Sequence, residues 1–369
     1  MKYKITKLKD IAEISMGQSP SSKYYNKTKK GIPFLQGVST FGEMFPQINT
    51  YTTVYRKEAK SGDILFSVRA PVGKVNFANQ KTAIGRGLAT IRVKNTYSKF
   101  YIYYFLKKNG RLLDFLSSGT VFTSINKKDL EEIRLKIPNR LNDQQQIAEK
   151  LLKIDKKIDI NNQINDNLLE LLDTEFHHQF SHKTHFRRAK IRDYVKITRG
   201  SSPRPIKNFL TTFGRPWIKI SDISNLSSPY LYKTKQYISK SGINKSKTVL
   251  PGTLILSNSA TPGIPVISKI VASVHDGWLI ISDYKLMNRN WFYLFFRQKR
   301  QELLKRANGS VFNNLKISIV ENFPINAPNK DLLKRFEKIS NPIFSEMEEL
   351  QLENIKLTKI KEALLNLYF

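Results

Sequence analysis

The sequence predicts a mixed α/β chain with two similar globular domains in tandem, each followed by a long helix. Three observations predict this architecture: an internal repeat, short strand-like runs in both copies, and a long amphipathic stretch after each copy. Residues 8–20 return as residues 191–203, which is 183 positions later, and residues 119–122 return as residues 309–312, which is 190 positions later. An internal repeat determines the architecture before any local motif does.

Residues 1–142 are expected to form the first domain. Residues 64–68 and 88–93 are short apolar runs bounded by Gly, Pro and Asn, which is typical of strands. Residues 99–116 carry apolar side chains near helical spacing and predict a helix. We expect the aromatic side chains of this helix to belong to the core and not to a stacking surface.

Residues 182–328 are expected to form the second domain on the same plan. Residues 254–257 and 278–282 are strand-like, and residues 291–304 predict a helix. Residues 181–192, between the copies, are polar and basic and contain no acid. They predict a linker whose positive charge could also contact phosphate.

Residues 143–181 and 329–369 each predict a long helix with a narrow apolar seam, the pattern of coiled coils. Wholly helical, the first would be roughly 57 Å long at ~1.5 Å per residue. The expected seam residues are Ile147, Leu151, Ile154, Ile158, Ile164, Leu168 and Leu171 in the first helix, and Phe336, Ile339, Ile343, Met347, Leu350, Leu357, Ile360, Leu364 and Leu367 in the second.

The two long helices are expected to pair with each other, because nothing within one copy needs so long a helix. Since both follow a domain in the same chain order, a pseudo-twofold arrangement requires an antiparallel coiled coil. Asn161 falls where the seam expects an apolar residue. A buried polar residue there can fix the register of a coiled coil, and a solvated break in the pattern is an equally good interpretation. Pro342 is expected in a first turn or at a kink.

The net charge is the strongest compositional signal. The chain carries 62 Lys and Arg against 30 Asp and Glu, a formal net charge of +32, which makes a nucleic acid the expected partner. No apolar run is long enough to span a bilayer, and the first residues lack the apolar core of a signal peptide. Cysteine is absent, which excludes disulfides and cysteine-ligated zinc and fits a reducing cytoplasm. We therefore expect a cytoplasmic protein that contacts no membrane.

A set of motifs, several of which return in the second copy, carries a resemblance to a known family. The order of these motifs is more specific than any one of them. They are residues 17–21 (GQSPS), 62–67 (GDILFS), 71–74 (PVGK), 118–130 (SGTVFTSINKKDL) and 143–151 (DQQQIAEKL). Over essentially its whole length the chain resembles the specificity (S) subunits of type I restriction-modification enzymes. The second copy departs from the pattern at residues 329–336, which lack the run of glutamines.

The resemblance implies a non-catalytic subunit with two target recognition domains. Each domain would read one half of a split, asymmetric sequence in double-stranded DNA, and the paired helices would set the length of the unread gap. The helices and adjoining domain faces would dock two methyltransferase subunits, and restriction subunits would join that core. The chain itself would carry no active site, metal or cofactor. S-adenosylmethionine would bind to the partner methyltransferase subunit.

The candidate DNA-binding residues lie in polar, Gly-containing loops, because Gly lets the backbone approach closely while Ser, Gln and Arg reach base edges. Arg69 and Arg204 are the strongest candidates, since bidentate Arg to guanine is the commonest specific contact. Many of the others could only shape turns. The candidates are Gln18, Ser19, Ser21, Ser22, Arg69, Lys74, Arg86, Thr120 and Thr123 in the first copy, and Ser201, Ser202, Arg204, Lys219, Asn258, Ser259, Ser310, Asn313 and Asn314 in the second.

The loops differ between the copies where the surrounding pattern agrees. Residues 67–71 (SVRAP) correspond to residues 257–262 (SNSATP). A retained scaffold with changed loops is what two different half-sites require, so the sequence predicts a non-palindromic target, although drift alone would look similar.

Catalytic and metal sites are not expected. Residues 341–344 (NPIF) imitate the tetrad of DNA methyltransferases but lack its second proline and lie in a helical stretch. Asp276, Asp283 and Lys285 could hold magnesium in a nuclease, but the aligned positions of the first copy do not preserve them. A histidine cluster could bind zinc weakly, and solvated or phosphate-facing side chains explain it better. Its members are His177, His178, His182 and His185.

Two other classes of function remain open. A scaffold that binds DNA or RNA without sequence choice accounts for the charge equally well, and discrimination between duplexes would separate the two. A protein-interaction rod with incidental charge would show no salt-sensitive binding to DNA.

Overall fold

The computed structural model describes the chain except for residues 119–123, 182–185, 225 and 308–313, and the side chains of residues 111–118. It divides into two compact units: residues 1–156 with residues 357–369, and residues 157–356. Each unit mixes helices and strands, so the predicted α/β class is confirmed.

The elements of the first unit begin with a short strand and end in a long helix. Its strands are β1 (Tyr3–Lys7), β2 (Ala12–Met16), β3 (Tyr25–Asn26), β4 (Ile32–Leu35), β5 (Tyr51–Thr52), β6 (Glu58–Ala59), β7 (Ile64–Ser67), β8 (Val75–Phe77), β9 (Thr82–Ile84), β10 (Leu88–Val93) and β11 (Arg134–Pro138). Its helices are α1 (Leu8–Ile11), α2 (Lys99–Ser118), α3 (Lys127–Glu131) and the first part of α4 (Leu141–Phe180).

The second unit has the remaining elements. Its strands are β12 (Arg187–Lys190), β13 (Lys196–Arg199), β14 (Leu210–Thr211), β15 (Arg215–Ile218), β16 (Tyr230–Leu231), β17 (Gln236–Ile238), β18 (Lys247–Val249), β19 (Leu254–Ser257), β20 (Pro265–Ser268), β21 (Ala272–Val274), β22 (Trp278–Ser282) and β23 (Pro324–Ala327). Its helices are α5 (Lys240–Ile243), α6 (Arg289–Ala307), α7 (Ile317–Glu321), the second part of α4, and α8 (Lys330–Tyr368) as far as residue 356.

The sheets of the two units have corresponding strand orders. One sheet runs β2-β10-β7-β8 in the first unit and β13-β22-β19-β20-β16 in the second. Another runs β3-β5-β4-β9-β6 and β14-β17-β15-β21-β18. The parallel pairs also correspond, with Phe34 opposite Ala83 and Trp217 opposite Ser273. The internal repeat of the sequence is therefore also a repeat of sheet topology, with β16 as an addition in the second unit.

The predicted linker between the copies is partly wrong. Residues 187–190 form β12, which pairs with β23 just as β1 pairs with β11. Backbone hydrogen bonds to β23 make a strand of a polar, basic segment that has no apolar pattern of its own. Residues 182–185 of the predicted linker lie outside the described residues.

Aromatic side chains of the domain helices fill both cores, as predicted. In the first unit Tyr101 and Tyr104 of α2 are fully buried. In the second unit Trp291 of α6 stacks on Phe295 with their ring centroids 5.2 Å apart, inside the largest apolar cluster of that unit. These rings hold the helices against the sheets, so they are unavailable for stacking on bases.

The long helices have nearly the predicted extents, and their buried faces match the predicted seams in part. Ile147, Leu151, Phe336, Met347 and Leu350 are buried, as predicted. In α4 the side chains of Asn161 and Asn165 are buried, whereas those of Ile164 and Leu171 are exposed. In α8, Ile339, Ile360 and Leu367 are exposed. Apolar residues occur on more than one face of each helix, so their spacing alone does not determine which face is covered. The buried residues of α8 are Leu333, Phe336, Ser340, Phe344, Met347, Leu350 and Asn354.

Within the second unit, α4 and α8 contact each other along their lengths. Asn161 of α4 bonds to Glu353 and Asn354, whereas Phe176 contacts Phe336. Residue numbers therefore fall along α8 as they rise along α4. Pro342 lies inside α8, well past its first turn, so the first of the two expected positions is wrong and a kink stays a prediction. Because proline has no N–H, the carbonyl four residues earlier loses its usual helical donor there.

Within the first unit, the start of α4 and the end of α8 pack on α2. The Tyr104 hydroxyl donates to Asp155 Oδ2 at 2.7 Å, and Lys361 also pairs with this carboxylate. The ring centroids of Tyr101 and Phe369 are 4.8 Å apart. In the part of the chain that the structure describes, no helix is both long and apolar enough to cross a membrane.

Candidate nucleic-acid interface

The loop after β7 in the first unit and the loop after β19 in the second are each closed by one serine. In the first unit the Ser67 hydroxyl donates to the Pro71 carbonyl at 2.7 Å and accepts from the Lys74 N–H at 2.8 Å. In the second unit Ser257 makes the same two bonds, to Thr261 at 2.6 Å and from Ile264 at 2.8 Å. We call residues 68–73 and 258–263 the clamped loops.

The opening loop of each unit is fixed to the same sheet. The Gly17 N–H donates to the Leu88 carbonyl at 2.8 Å, and the Gly200 N–H donates to the Trp278 carbonyl at 2.9 Å. A Cβ on Gly17 would lie 2.2 Å from the carbonyl oxygen of Gly85, so only glycine fits. We call residues 17–22 and 200–205 the opening loops.

The opening and clamped loops share the same backbone network in both units. Val68 N–H donates to the Gly87 carbonyl at 3.0 Å, and Asn258 N–H donates to the Gly277 carbonyl at 2.9 Å. Positions that are 190 apart are therefore structural equivalents here, as positions 183 apart are in the opening loops. This shared network allows the side chains of the two units to be compared position by position.

The candidate residues of the first unit form an exposed, positively charged group. Arg69, Lys74 and Arg86 are all exposed. The Ser19 hydroxyl accepts from the backbone N–H of Arg86 at 3.0 Å, which fixes the turn that carries Arg86. Ser19 therefore has a structural role in the loop. Gln18, Ser21 and Ser22 are exposed, whereas Thr120 and Thr123 lie outside the described residues.

The candidate residues of the second unit surround an acid. Asp276 Oδ1 accepts from the Ser202 hydroxyl at 2.9 Å, and Asp276 Oδ2 accepts from Arg204 Nη2 at 3.3 Å. The Arg204 side chain is 81% exposed. Lys219 donates to Gln236 at 3.1 Å. Arg204 is thus accessible to a ligand and is held at one end.

Among the described residues, the other candidates of the second unit do not bond to the Asp276 carboxylate. Asn258 is buried, and its amide donates to the backbone carbonyl of Asp276 at 3.1 Å, so it supports the loops from inside. Ser201 donates to the Lys245 carbonyl at 3.3 Å. Ser259 is half-buried and Asn314 is exposed, whereas Ser310 and Asn313 lie outside the described residues.

Equivalent positions in the two units carry different charges. The clamped loop, the residue that follows it and the turn after β9 or β21 together have three cations in the first unit, and a serine, an isoleucine and an aspartate in the second. The opening loop and the position after β4 or β15 show the reverse, with neutral residues in the first unit and cations in the second. The pairs, first unit first, are Arg69 and Ser259, Lys74 and Ile264, Arg86 and Asp276, Ser21 and Arg204, and Gln36 and Lys219.

A cavity beside Arg204 was not predicted from the sequence. It has a volume of about 800 Å³, and Trp217, His275 and Lys219 are among the residues that line it. The Gly277 N–H donates to His275 Nδ1 at 2.7 Å, so neutral His275 carries its proton on Nε2. Burial lowers the pKa of His275 and favours this neutral form. In the sequence, only the alignment of residues 275–277 with the Gly-containing turn at residues 85–87 pointed to His275 as part of a loop beside the candidate residues.

The described residues contain no group of three or more His, Asp or Glu side chains that could hold a metal ion. Of the histidine cluster, His177 and His178 lie at the end of α4, and His182 and His185 lie outside the described residues. Asp283 is exposed and pairs with Lys196 at 4.0 Å. The group considered for a nuclease is thus engaged elsewhere: Asp276 with Arg204, and Asp283 with Lys196.

Comparison with known proteins identifies the architecture. A family model described as a type I restriction modification DNA specificity domain matches residues 1–170. The matched residues make up just under half of the chain. The resemblance to type I specificity subunits is therefore confirmed, and relatives and a solved structure extend the similarity beyond the matched region.

Two similar proteins are specificity subunits of Methanocaldococcus jannaschii. The putative type I restriction enzyme MjaX specificity subunit is 46% identical over 149 residues, which are 40% of this chain and 35% of that relative. The type I restriction enzyme MjaIX specificity subunit is 24% identical over 406 aligned positions, covering 98% of this chain and 91% of that relative. The first relative is therefore strongly similar to part of this chain, and the second is distantly similar to nearly all of it.

A solved structure has the same fold. The crystal structure of the type I restriction-modification system S subunit from M. genitalium superposes with a TM-score of 0.60, covering 100% of this chain and 96% of that one. The sequence identity is 15%, so this likeness concerns the fold alone.

Proposed function

We propose that this chain is the non-catalytic DNA sequence-recognition subunit of a type I restriction-modification complex. One observation carries the proposal: a single hydrogen-bonded loop framework occurs twice, with different side chains at equivalent positions. A shared framework suits one task, the reading of duplex DNA. Different side chains suit two different base sequences.

The proposed target is split and asymmetric. The two units would act as target recognition domains that each read one half-site, since their exposed side chains differ in charge and hydrogen-bonding type. The net charge of +32 supports binding to the phosphate backbone, which supplies affinity but no sequence information.

The long helices α4 and α8 would form an antiparallel coiled coil with pseudo-twofold symmetry that spaces the two recognition domains. The contacts of Asn161 and Phe176 with α8 inside the second unit support this proposal. Adding one helical turn, about 5.4 Å, to both helices should widen the accepted gap by about one or two base pairs. An unchanged gap would contradict a spacing role.

The helices would also dock two methyltransferase subunits, with restriction subunits joining that core. An exposed apolar stripe on α4 supports this: Ile160, Ile164 and Leu171 are 40%, 37% and 52% exposed and recur at helical spacing. S-adenosylmethionine and the chemistry of methyl transfer would belong to those subunits. Replacing Ile164 and Leu171 by Asp should abolish co-purification with the methyltransferase subunit, whereas Asp166→Asn, an exposed change on a different side of the same helix, should not.

The deciding experiment maps N6-methyladenine across the genome of a methylation-free host. The host expresses this chain with its neighbouring methyltransferase subunit, or either one alone. A split, asymmetric motif that requires both chains would support the proposal and give both half-sites. Methylation by this chain alone would refute the non-catalytic assignment.

A sequence-independent nucleic-acid scaffold is the second candidate, and the net charge favours it equally. Such a scaffold would bind the mapped motif and a scrambled duplex with the same affinity. No methylation motif from an assembled complex would also favour it.

A further inference from the structure

Asp276 is held in place by four donors within the second unit. Its carboxylate accepts from Ser202 and Arg204, and its backbone carbonyl accepts from Arg199 Nε at 2.7 Å and from Asn258 Nδ2 at 3.1 Å. Side chain and backbone of one residue are thus fixed together. An acid whose backbone is fixed as well as its carboxylate is suited to orient a neighbouring side chain.

Arg204 is the neighbour that this carboxylate orients. One of its terminal nitrogens points to Asp276, and the side chain is largely exposed. A guanidinium is a planar fork of five N–H donors, so one contact with an acid leaves a second edge free for a ligand. Burial works to raise the pKa of Asp276, but the hydrogen bond from Ser202 and nearby positive charges lower it, so the acid stays ionised beside Arg204.

The first unit carries its guanidinium at the other of these two equivalent positions. The position of Asp276 is taken by Arg86, and the position of Arg204 is taken by Ser21. The Arg86 backbone is fixed by Ser19, and its side chain is exposed. The exchange is reciprocal. In the first unit the turn after β9 supplies the guanidinium, whereas in the second unit the opening loop supplies it and the turn after β21 supplies an acid that holds it.

We propose that Asp276 is a positioning residue that holds Arg204 for a bidentate contact with a guanine of the second half-site, and that Arg86 supplies the equivalent guanidinium for the first. This inference rests on the proposed function. Guanine is the base whose N7 and O6 acceptors match two parallel N–H donors. A phosphate also accepts two such donors, but a phosphate contact gives no base preference, so the experiment must separate the two.

The experiment uses the complex of this chain with its methyltransferase subunit, after the wild-type motif has been mapped. Duplex libraries randomised in each half-site are methylated and sequenced, which gives the base preference at every position. The variants are Arg204→Lys, Asp276→Asn, Asp276→Glu and Arg86→Lys. The matched control is Asp283→Asn, which removes the same charge from an exposed acid of the same unit. Asparagine also tolerates the positive φ of 54° at position 283.

The expected result is a change at one position of one half-site. Arg204→Lys and Asp276→Asn should reduce the preference for guanine at a single position of the second half-site by roughly 5- to 150-fold, the discrimination of one bidentate pair. Asp276→Glu should retain more of that preference than Asp276→Asn. Asp283→Asn should leave it unchanged, and Arg86→Lys should relax one guanine of the first half-site only.

Two outcomes would overturn the inference while leaving the proposed function intact. One is a second half-site without guanine. The other is uniform loss of affinity in Arg204→Lys with an unchanged motif, which would make Arg204 a phosphate contact. Arg204 is exposed, so this variant tests the inference even if Asp276→Asn folds poorly. A wild-type complex without any base preference would overturn the proposed function as well.

Discussion

The side-chain amide of Asn161 donates to the side-chain oxygen of Asn354 at 2.9 Å, joining α4 to α8 inside the second unit. Asn161 also donates to Glu353 at 2.7 Å, and Asn354 donates to Asn162 at 2.9 Å. Asn161 is fully buried. The break in the apolar seam is therefore a buried polar contact and not a solvated slip in the pattern.

Because Asn161 and Asn354 are in contact, we expect the changes in stability on substituting them to be strongly non-additive. Asn161→Leu alone should destabilise the protein by about 1–3 kcal/mol, because it removes a buried partner of Asn354. Replacing both residues by Leu should recover most of that loss, since an apolar pair leaves fewer unsatisfied groups. Urea unfolding of the single and double variants measures the coupling. Additive losses would contradict this account.

Asn165 predicts a stabilising substitution. Its side chain is fully buried, and neither its amide nitrogen nor its oxygen has a hydrogen-bond partner among the described residues. Because an unsatisfied buried amide is costly, Asn165→Leu should stabilise the protein by about 1–3 kcal/mol and raise the thermal midpoint. Asn167→Leu, an exposed change on the same helix, should have little effect. A lower midpoint for Asn165→Leu would show that the buried amide has a partner in solution.

Lys74 predicts a change in the salt dependence of DNA binding. It is exposed immediately after the first clamped loop and, unlike Arg69, lacks the planar fork suited to guanine. If it contacts phosphate, Lys74→Gln should weaken binding to all duplexes alike and reduce the slope of log K against log salt by about 0.9. Titration by fluorescence anisotropy at several salt concentrations measures the slope.

The matched control for Lys74 is Lys153→Gln, which removes the same charge from the exposed face of α4, where Lys153 pairs with Glu149. Its slope should equal that of the wild type. A slope changed in Lys153→Gln and unchanged in Lys74→Gln would place the phosphate contacts on the helix and not on the loop.

His275 predicts that stability falls on mild acidification. Burial, and to a smaller extent Lys219 and Arg199, lower the pKa of His275 below its ordinary value, whereas Asp276 and Asp222 oppose them. As the pH falls below about 6.5, the unfolded chain binds a proton at His275 before the folded chain does. Protonation therefore favours unfolding, and stability should decrease as the pH falls from about 7.5 to 5.5.

The test for His275 is the variant His275→Gln, which stays neutral and can still accept from the Gly277 N–H. Its thermal midpoint should decline less than that of the wild type over the same pH range. His178→Gln, an exposed change at the end of α4, should follow the wild-type curve. Parallel curves for wild type and His275→Gln would exclude His275 as a source of the pH dependence.

Much of the fold was predictable because its signals are local or repeated. The runs at residues 64–68 and 88–93 are strands within one residue of the prediction, and α4 and α8 have nearly the predicted bounds. Period-two and helical spacing report local structure directly. The alignment of the two copies also contained the information for β12, because the equivalent segment of the first copy is β1.

The covered faces of the long helices could be predicted only in part. Ile164 and Leu171 fit an apolar seam as well as Leu172 and Phe176 do, and only the position of the domain core decides between them. The role of Asp276 was hidden for a related reason. Its partners Ser202 and Arg204 lie more than 70 positions earlier in the chain, and the sheet alone brings them together.

Ser67 and Ser257 close clamped loops of equal length between equivalent strands. A peptide moved from one loop to the other would meet the same two anchoring bonds at its ends. The hydrogen-bonded framework thus holds the ends of the loop in place whichever six residues lie between them. Exchanging this segment would change the part of the base preference that depends on the clamped loop, while Arg86, Arg204 and the buried rings and sheets beneath stay in place.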